Sequence, residues 1–145
     1  MDRPSVFLDS SVIIAAMLSV QGGSSYVLRE QHTRFVFQTN EYVLSEVHDV
    51  LSGKMKDQSH LSATLFLLLG IAEVQTIPNP SKSELTSIAG VISKKDAPIL
   101  VSAMEHSDYV LTLDNEFFKP AIVQIAKGRN LEILKPGDFI RLFEL

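Results

Sequence analysis

Ser5-Val6-Phe7-Leu8-Asp9-Ser10-Ser11-Val12-Ile13 changes character at its centre, and the change sets the fold class. Val6, Phe7 and Leu8 form an apolar run of strand length. After Asp9, the serines lead into Val12, Ile13, Ala16 and Met17, which fall at helical spacing. A buried strand that passes directly into a helix is the repeating unit of parallel sheets. Asp9 stands at the joint. A carboxylate just past a buried strand is costly unless it is paired, hydrogen-bonded or bound to a cation.

The same arrangement recurs near the other end of the chain, where Tyr109-Val110-Leu111-Thr112-Leu113 reads as a strand and ends on Asp114. Between and beyond these two segments, strands are expected at Arg34–Gln38, Val74–Ile77 and Leu131–Leu134. Helices are expected from Ser24 to His32, from Thr39 or Asn40 to Gly53, from Leu61 to Ala72, from Ser81 to about Ile92, from Asp96 onward, from Ala121 to Lys127, and in the tail after Pro136-Gly137. In the second of these, Val43, Leu44, Val47, Val50 and Leu51 make one apolar face. About five short strands alternating with helices imply an α/β three-layer sandwich, a mostly parallel sheet with helices on both faces. Ligands bind such sheets outside the carboxyl ends of the strands, the edge on which Asp9 and Asp114 both fall.

The chain has 145 residues and no internal linker, so a single domain over 1–145 is expected. With 46% hydrophobic and 21% charged residues it can bury a core. There is no cysteine, which excludes disulfides, thiolate metal sites and cysteine nucleophiles and fits a cytoplasmic location. No basic region precedes an apolar one at the N-terminus, so the sequence does not read as secreted. Leu61–Ala72 is too short to cross a bilayer, which needs roughly 20 residues, and reads as a buried helix. The net charge of −4 argues against a protein that coats long nucleic acid, since phosphate contacts dominate that kind of affinity. It argues less against a nuclease, whose acids sit in a pocket and are offset by cations.

Four carboxylates come from four elements: Asp9, Glu46, Asp96 and Asp114, with Glu116 two residues further on. Each has an ordinary alternative. Asp9 and Asp96 both fit helix caps. Ser10 and Ser11 stand next to Asp9, however, and could cap in its place, while Asp96 shares a helix face with the apolar Leu100 and Ala103. Glu46 flanks the stripe of Val43 and Val50, where a solvated side chain is the common outcome. Asp114 and Glu116 fit a turn after a strand. Thr112 points to the same side as Asp114 by the strand period of two, placed to hold a carboxylate or a water. Gathered in one place, such acids repel and raise one another's pKa unless a cation is present. Oxygen-only ligands suit Mg²⁺ or Mn²⁺.

These residues resemble the PIN-domain family of metal-dependent ribonucleases, which includes VapC-like toxins. The likeness rests on Phe7-Leu8-Asp9-Ser10-Ser11-Val12-Ile13, Ser45-Glu46-Val47, Lys95-Asp96-Ala97-Pro98-Ile99-Leu100 and Leu111-Thr112-Leu113-Asp114-Asn115-Glu116-Phe117. Ala15-Ala16-Met17-Leu18-Ser19 followed by Gly22-Gly23 further resembles a subgroup described as toxin components. The resemblance implies that Asp9, Glu46, Asp96 and Asp114 hold the metal, with Glu116 as a less strict fifth acid and Ser10 or Ser11 supporting Asp9. Ser11 departs from the asparagine of many relatives. The implied reaction is hydrolysis of single-stranded RNA, leaving a 5′-phosphate and a 3′-hydroxyl. The implied partners are a small antitoxin and a second copy of the chain.

Lys94, Lys95 and Lys119 flank the acids and are candidates for phosphate contacts. His32, His48, His60 and His106 are scattered, with none at metal-ligand spacing. A phosphatase or phosphoacceptor domain would need a second Asp two residues after Asp9 or an acid pair beside it, which Asp9-Ser10-Ser11 lacks. No Gly-x-Gly-x-x-Gly or Gly-Lys-Ser/Thr motif is present, so Gly22-Gly23 reads as a helix break. A non-catalytic binding module and a housekeeping RNA-processing nuclease are the remaining alternatives.

Overall fold

The computed structural model describes residues 2–145. Five parallel strands form one sheet: β1 (Ser5–Leu8), β2 (Val36–Asn40), β3 (Gln75–Ile77), β4 (Tyr109–Leu111) and β5 (Glu132–Leu134), in the order β3-β2-β1-β4-β5. Among the described residues eight α-helices join and cover them: α1 (Ser10–Leu18), α2 (Gly23–Glu30), α3 (Glu41–Ser52), α4 (His60–Ile71), α5 (Lys82–Thr86), α6 (Ala97–His106), α7 (Pro120–Gly128) and α8 (Pro136–Leu142). The result is the expected three-layer α/β sandwich.

The strand order places the site. From β1 the chain winds outward through β2 to β3, then crosses back to add β4 and β5 on the other side. The reversal leaves a crevice between β1 and β4 at their carboxyl ends, the usual place for a ligand in an open parallel sheet. Leu8 is in register with Leu111, and Asp9 N–H donates to Leu111 O at 3.1 Å, so both strands end at one level.

The core runs through the middle of the sheet. Phe7, Leu8, Phe37, Leu100, Leu111 and Phe117 are fully buried. At the amino edge, Phe35 and Tyr109 pack against Phe139 and Phe143, with Phe35 and Phe139 centroids 4.8 Å apart and those of Tyr109 and Phe143 5.4 Å apart. This aromatic cluster fastens α8 to the sheet. Each buried aromatic of this size contributes about 1.5–3 kcal/mol relative to an exposed one.

Three local expectations are corrected. The segment expected as a helix from Ser81 to Ile92 is helical only over Lys82–Thr86, where a capping box between Ser81 and Glu84 starts it. Gly90 then adopts φ +86° and the chain continues in turns. Second, α4 is not a buried helix. Leu61 and Leu68 face inward, whereas Phe66 and Leu67 are 75% and 66% exposed. The helix rides outside α1 and α2, so one narrow stripe suffices to hold it. Third, the strands around Phe35 and Tyr109 are shifted or shorter. Phe35 precedes β2, and β4 stops at Leu111, because Thr112 and Leu113 turn away to bring Asp114 over the crevice. Among the described residues no single helix is long and apolar enough to cross a membrane.

Candidate functional site

Asp9 is the best-anchored acid. It is 3% exposed, and its Oδ1 accepts from Ser10 N–H at 2.7 Å. Its Oδ2 accepts from Ser11 Oγ at 2.9 Å and from Thr112 Oγ1 at 2.7 Å. The serines do not cap α1 in place of Asp9. They donate to it, and the Ser11 hydroxyl also accepts from Leu113 N–H at 3.0 Å. Ser11 thus bonds both strand ends.

Thr112 lies one residue past β4 and joins two of the acids. While its hydroxyl donates to Asp9, it accepts from Asp114 N–H at 3.0 Å. Asp114 Oδ1 accepts from Glu116 N–H at 3.0 Å, the ordinary turn that follows a strand, and Asp114 is half-exposed. The turn therefore uses one oxygen of Asp114.

Asp96 immediately precedes α6 but does not cap it. Its backbone is already helical and its side chain makes no capping bond. Pro98 in the first turn removes one of the N–H groups that would need a cap. The carboxylate, 5% exposed, instead accepts from Ser93 Oγ at 2.9 Å. Burial, followed by Asp114 and Asp9, raises its pKa against the lowering effect of Ser93.

Glu46 reaches in from α3. Asn40 caps that helix, its Oδ1 accepting from Val43 N–H at 2.9 Å. Glu46 Oε1 is buried with no hydrogen-bond partner, and Oε2 lies 4.0 Å from Lys95 Nζ. Its pKa is pushed up to about 7, first by burial and then by Asp9, with Asp96 and Asp114 adding to the rise and Lys95 opposing it. Four carboxylates from four elements therefore share one electrostatic neighbourhood over the β1–β4 crevice. Among the described residues, no three His, Asp or Glu side chains converge closely enough to grip an ion as they stand. The donor set nevertheless suits a hard cation: all oxygen, mutually repelling, with one buried oxygen unpartnered.

The other expected residues divide. Lys95 stands at the rim beside Glu46, whereas Lys119 is paired with Glu116 at 2.6 Å, which occupies both side chains. Lys94 lies outside the acid group and lines a small apolar cleft with Leu85, Ile92 and Ala97. A larger depression, about 810 Å³, lies at the opposite edge of the sheet among Arg3, Asp108, Lys127 and Glu132. Its charges alternate in sign, and none of the clustered acids lines it. Two site residues escaped the sequence reading. Ser93 follows no strand or helix pattern. Tyr42 lies one turn before Glu46, a spacing that puts both on the same face of α3.

No protein-family model matches the chain, and no curated protein sequence does. Solved structures are similar to it, two of them as follows. The crystal structure of PAE2754 from Pyrobaculum aerophilum matches with a TM-score of 0.67 and 15% sequence identity, over 98% of this chain and 91% of that one. VapBC2 from Rickettsia felis, bound to a DNA fragment from their promoter, matches with a TM-score of 0.63 and 17% identity, over 90% and 98%. The fold is PIN-like. At these identities the likeness concerns the fold, and the chemistry has to be argued from the residues of this chain.

Proposed function

We propose that this chain is a metal-dependent endoribonuclease acting on single-stranded RNA, and the toxin of a toxin–antitoxin pair in the cytoplasm. The observation that carries the reading is the gathering of Asp9, Glu46, Asp96 and Asp114 over the β1–β4 crevice, with the pKa of Glu46 raised to about 7. Structures that only cap helices have no reason to bring four like charges together.

Asp9, Asp96 and Asp114 are the residues that would hold Mg²⁺ or Mn²⁺, with Glu46 and Glu116 beside them. A divalent ion in such a site supplies an activated water and offsets the charge that builds on the phosphate. The protein's part is positional. Ser10, Ser11 and Thr112 fix the orientation of Asp9. Ser93 fixes Asp96. Glu46, with an unpartnered Oε1, is placed to orient a water. Lys95 brings a positive charge to the rim, where an RNA phosphate would approach.

The partner in this reading is a small antitoxin, and a second copy of the chain is a further one. Support comes from the VapBC2 neighbour and from the exposed α4 stripe of Phe66, Leu67 and Ile71. A non-catalytic binding module is the second reading, favoured by the finding that among the described residues no three ligands converge.

The deciding experiment is cleavage of a labelled single-stranded RNA in Mg²⁺, Mn²⁺ or EDTA by wild type and Asp96→Asn, with Mn²⁺ binding followed by calorimetry. Metal-dependent cleavage that the substitution abolishes is expected. No cleavage together with no Mn²⁺ binding would leave the binding module.

A further inference from the structure

RNA cleavage needs more than an acid cluster, because a strand must also be held in register across it. In the nuclease reading, phosphates would meet Lys95 and a cation. Something has to take the bases. Proteins that bind single strands commonly do this with an aromatic ring, since every base has a π-face.

Few aromatics reach this rim. Phe117, next to Glu116, is fully buried. Phe118 already carries Lys135 Nζ at 5.5 Å from its ring centroid. Tyr42 differs from both. It is half-buried, and among the described residues no aromatic or cationic group stacks on its ring. Its backbone is fixed, for Tyr42 N–H donates to Asn79 Oδ1 at 3.2 Å and the preceding Asn40 is locked to α6. Glu46 follows one helical turn later, a rise of about 6 Å, comparable with the reach from a backbone phosphate to its base. Side chains on a helix lean toward its amino end, so the two stand one above the other on α3. The phenol also feels the site: burial raises its pKa first, followed by Glu46 and Asp96, with Lys95 acting against them.

We infer that Tyr42 is the substrate-positioning residue of this site, its ring stacking on one nucleobase beside the scissile phosphate. This rests on the nuclease reading above. The ring face does the work, so the hydroxyl is dispensable and phenylalanine replaces tyrosine. Stacking has little base preference, so Tyr42 sets where the strand lies and not which base is read.

The test pairs protein variants with substrate variants. Single-turnover cleavage with Mn²⁺ gives the half-saturating concentration for wild type, Tyr42→Phe and Tyr42→Leu, on RNAs carrying one abasic nucleotide at successive positions around the cleaved bond. Tyr42→Leu is expected to weaken half-saturation on the order of tenfold, and Tyr42→Phe to stay close to wild type. An abasic nucleotide at one position should cost wild type a similar factor and cost Tyr42→Leu nothing more. Binding is followed separately with 2-aminopurine at that position, whose fluorescence wild type and Tyr42→Phe quench and Tyr42→Leu does not. Equal half-saturation in all three proteins, or a loss in Tyr42→Leu that is the same at every abasic position, would overturn the stacking role while leaving the nuclease reading intact. Wild type that neither cleaves nor binds the RNA would overturn both.

Discussion

Asn40 Nδ2 donates to Ser102 Oγ at 2.9 Å, deep in the protein. Asn40 ends β2 and caps α3, whereas Ser102 lies in α6. One side chain therefore sets the helix that carries Glu46 against the helix that follows Asp96. Asn40→Ala removes the cap and leaves buried polar groups unpaired, with an expected loss of about 1–3 kcal/mol in urea unfolding. Mn²⁺ affinity should fall as well, and Ser102→Ala should show the same pattern more weakly. Unchanged Mn²⁺ affinity in Asn40→Ala would show that the alignment of α3 with α6 does not govern the site.

Thr112 is the second structural hinge of the cluster, because one hydroxyl serves Asp9 and Asp114 together. Thr112→Val keeps the shape and removes both bonds. A loss of about 1–3 kcal/mol is expected, the range for leaving buried partners unsatisfied, and Thr112→Ser should recover much of it. Equal stability of the valine and serine variants would count against a role for the hydroxyl.

Glu46 makes metal-free stability depend on pH. Its folded pKa is about 7 and its ordinary value is 4.5, so between these values the folded protein binds more protons than the unfolded one. Stability is then lost as pH rises. The contribution is fully present below about 4.5 and gone above about 7. Asp96, also raised, acts in the same direction. In EDTA, wild type should lose stability between pH 5 and pH 8, and Glu46→Gln should lose less. Parallel curves for the two proteins would show that Glu46 is not under this strain.

Lys95 is solvent-exposed and only 4.0 Å from Glu46. Lys95→Ala should weaken RNA binding and lower the slope of log affinity against log salt by about 1. The same affinity at low and high salt, with and without Lys95, would remove it from the RNA path.

The sequence announced the sheet more clearly than the helices. Val6-Phe7-Leu8 and Tyr109-Val110-Leu111 are continuous apolar runs because a central parallel strand is buried on both faces. The two-residue strand period singles out Thr112, yet Thr112 lies past the end of β4 and reaches Asp9 from the turn. α4 misled because Leu65-Phe66-Leu67-Leu68-Leu69 is apolar on every side, and periodicity cannot tell a buried helix from one that shows an apolar face. The roles of Asp9 and Asp96 beside helix starts were ambiguous, since a cap and a clustered carboxylate share one pattern. In the fold Asp9 caps α1 and also accepts from Thr112, whereas Asp96 makes no capping bond and accepts from Ser93, and both donors lie outside the helices. Of Thr39 and Asn40, the two cap candidates for α3, Asn40 is the one that caps it, and its second bond, to Ser102, joins residues far apart in the chain and leaves no local trace.

The unequal anchoring of the acids has a consequence for how a cation would be received. Asp9 is held by three close donors, from the start of α1 and from Thr112, while Glu46 has no hydrogen-bond partner on Oε1 and a single lysine at 4.0 Å from Oε2. One jaw of the site is cast in advance, and the other would be set by an ion that binds there. The entropy of such a closure would fall on α3, so amide protection gained with Mn²⁺ should concentrate there and leave β1 and β4 as they were.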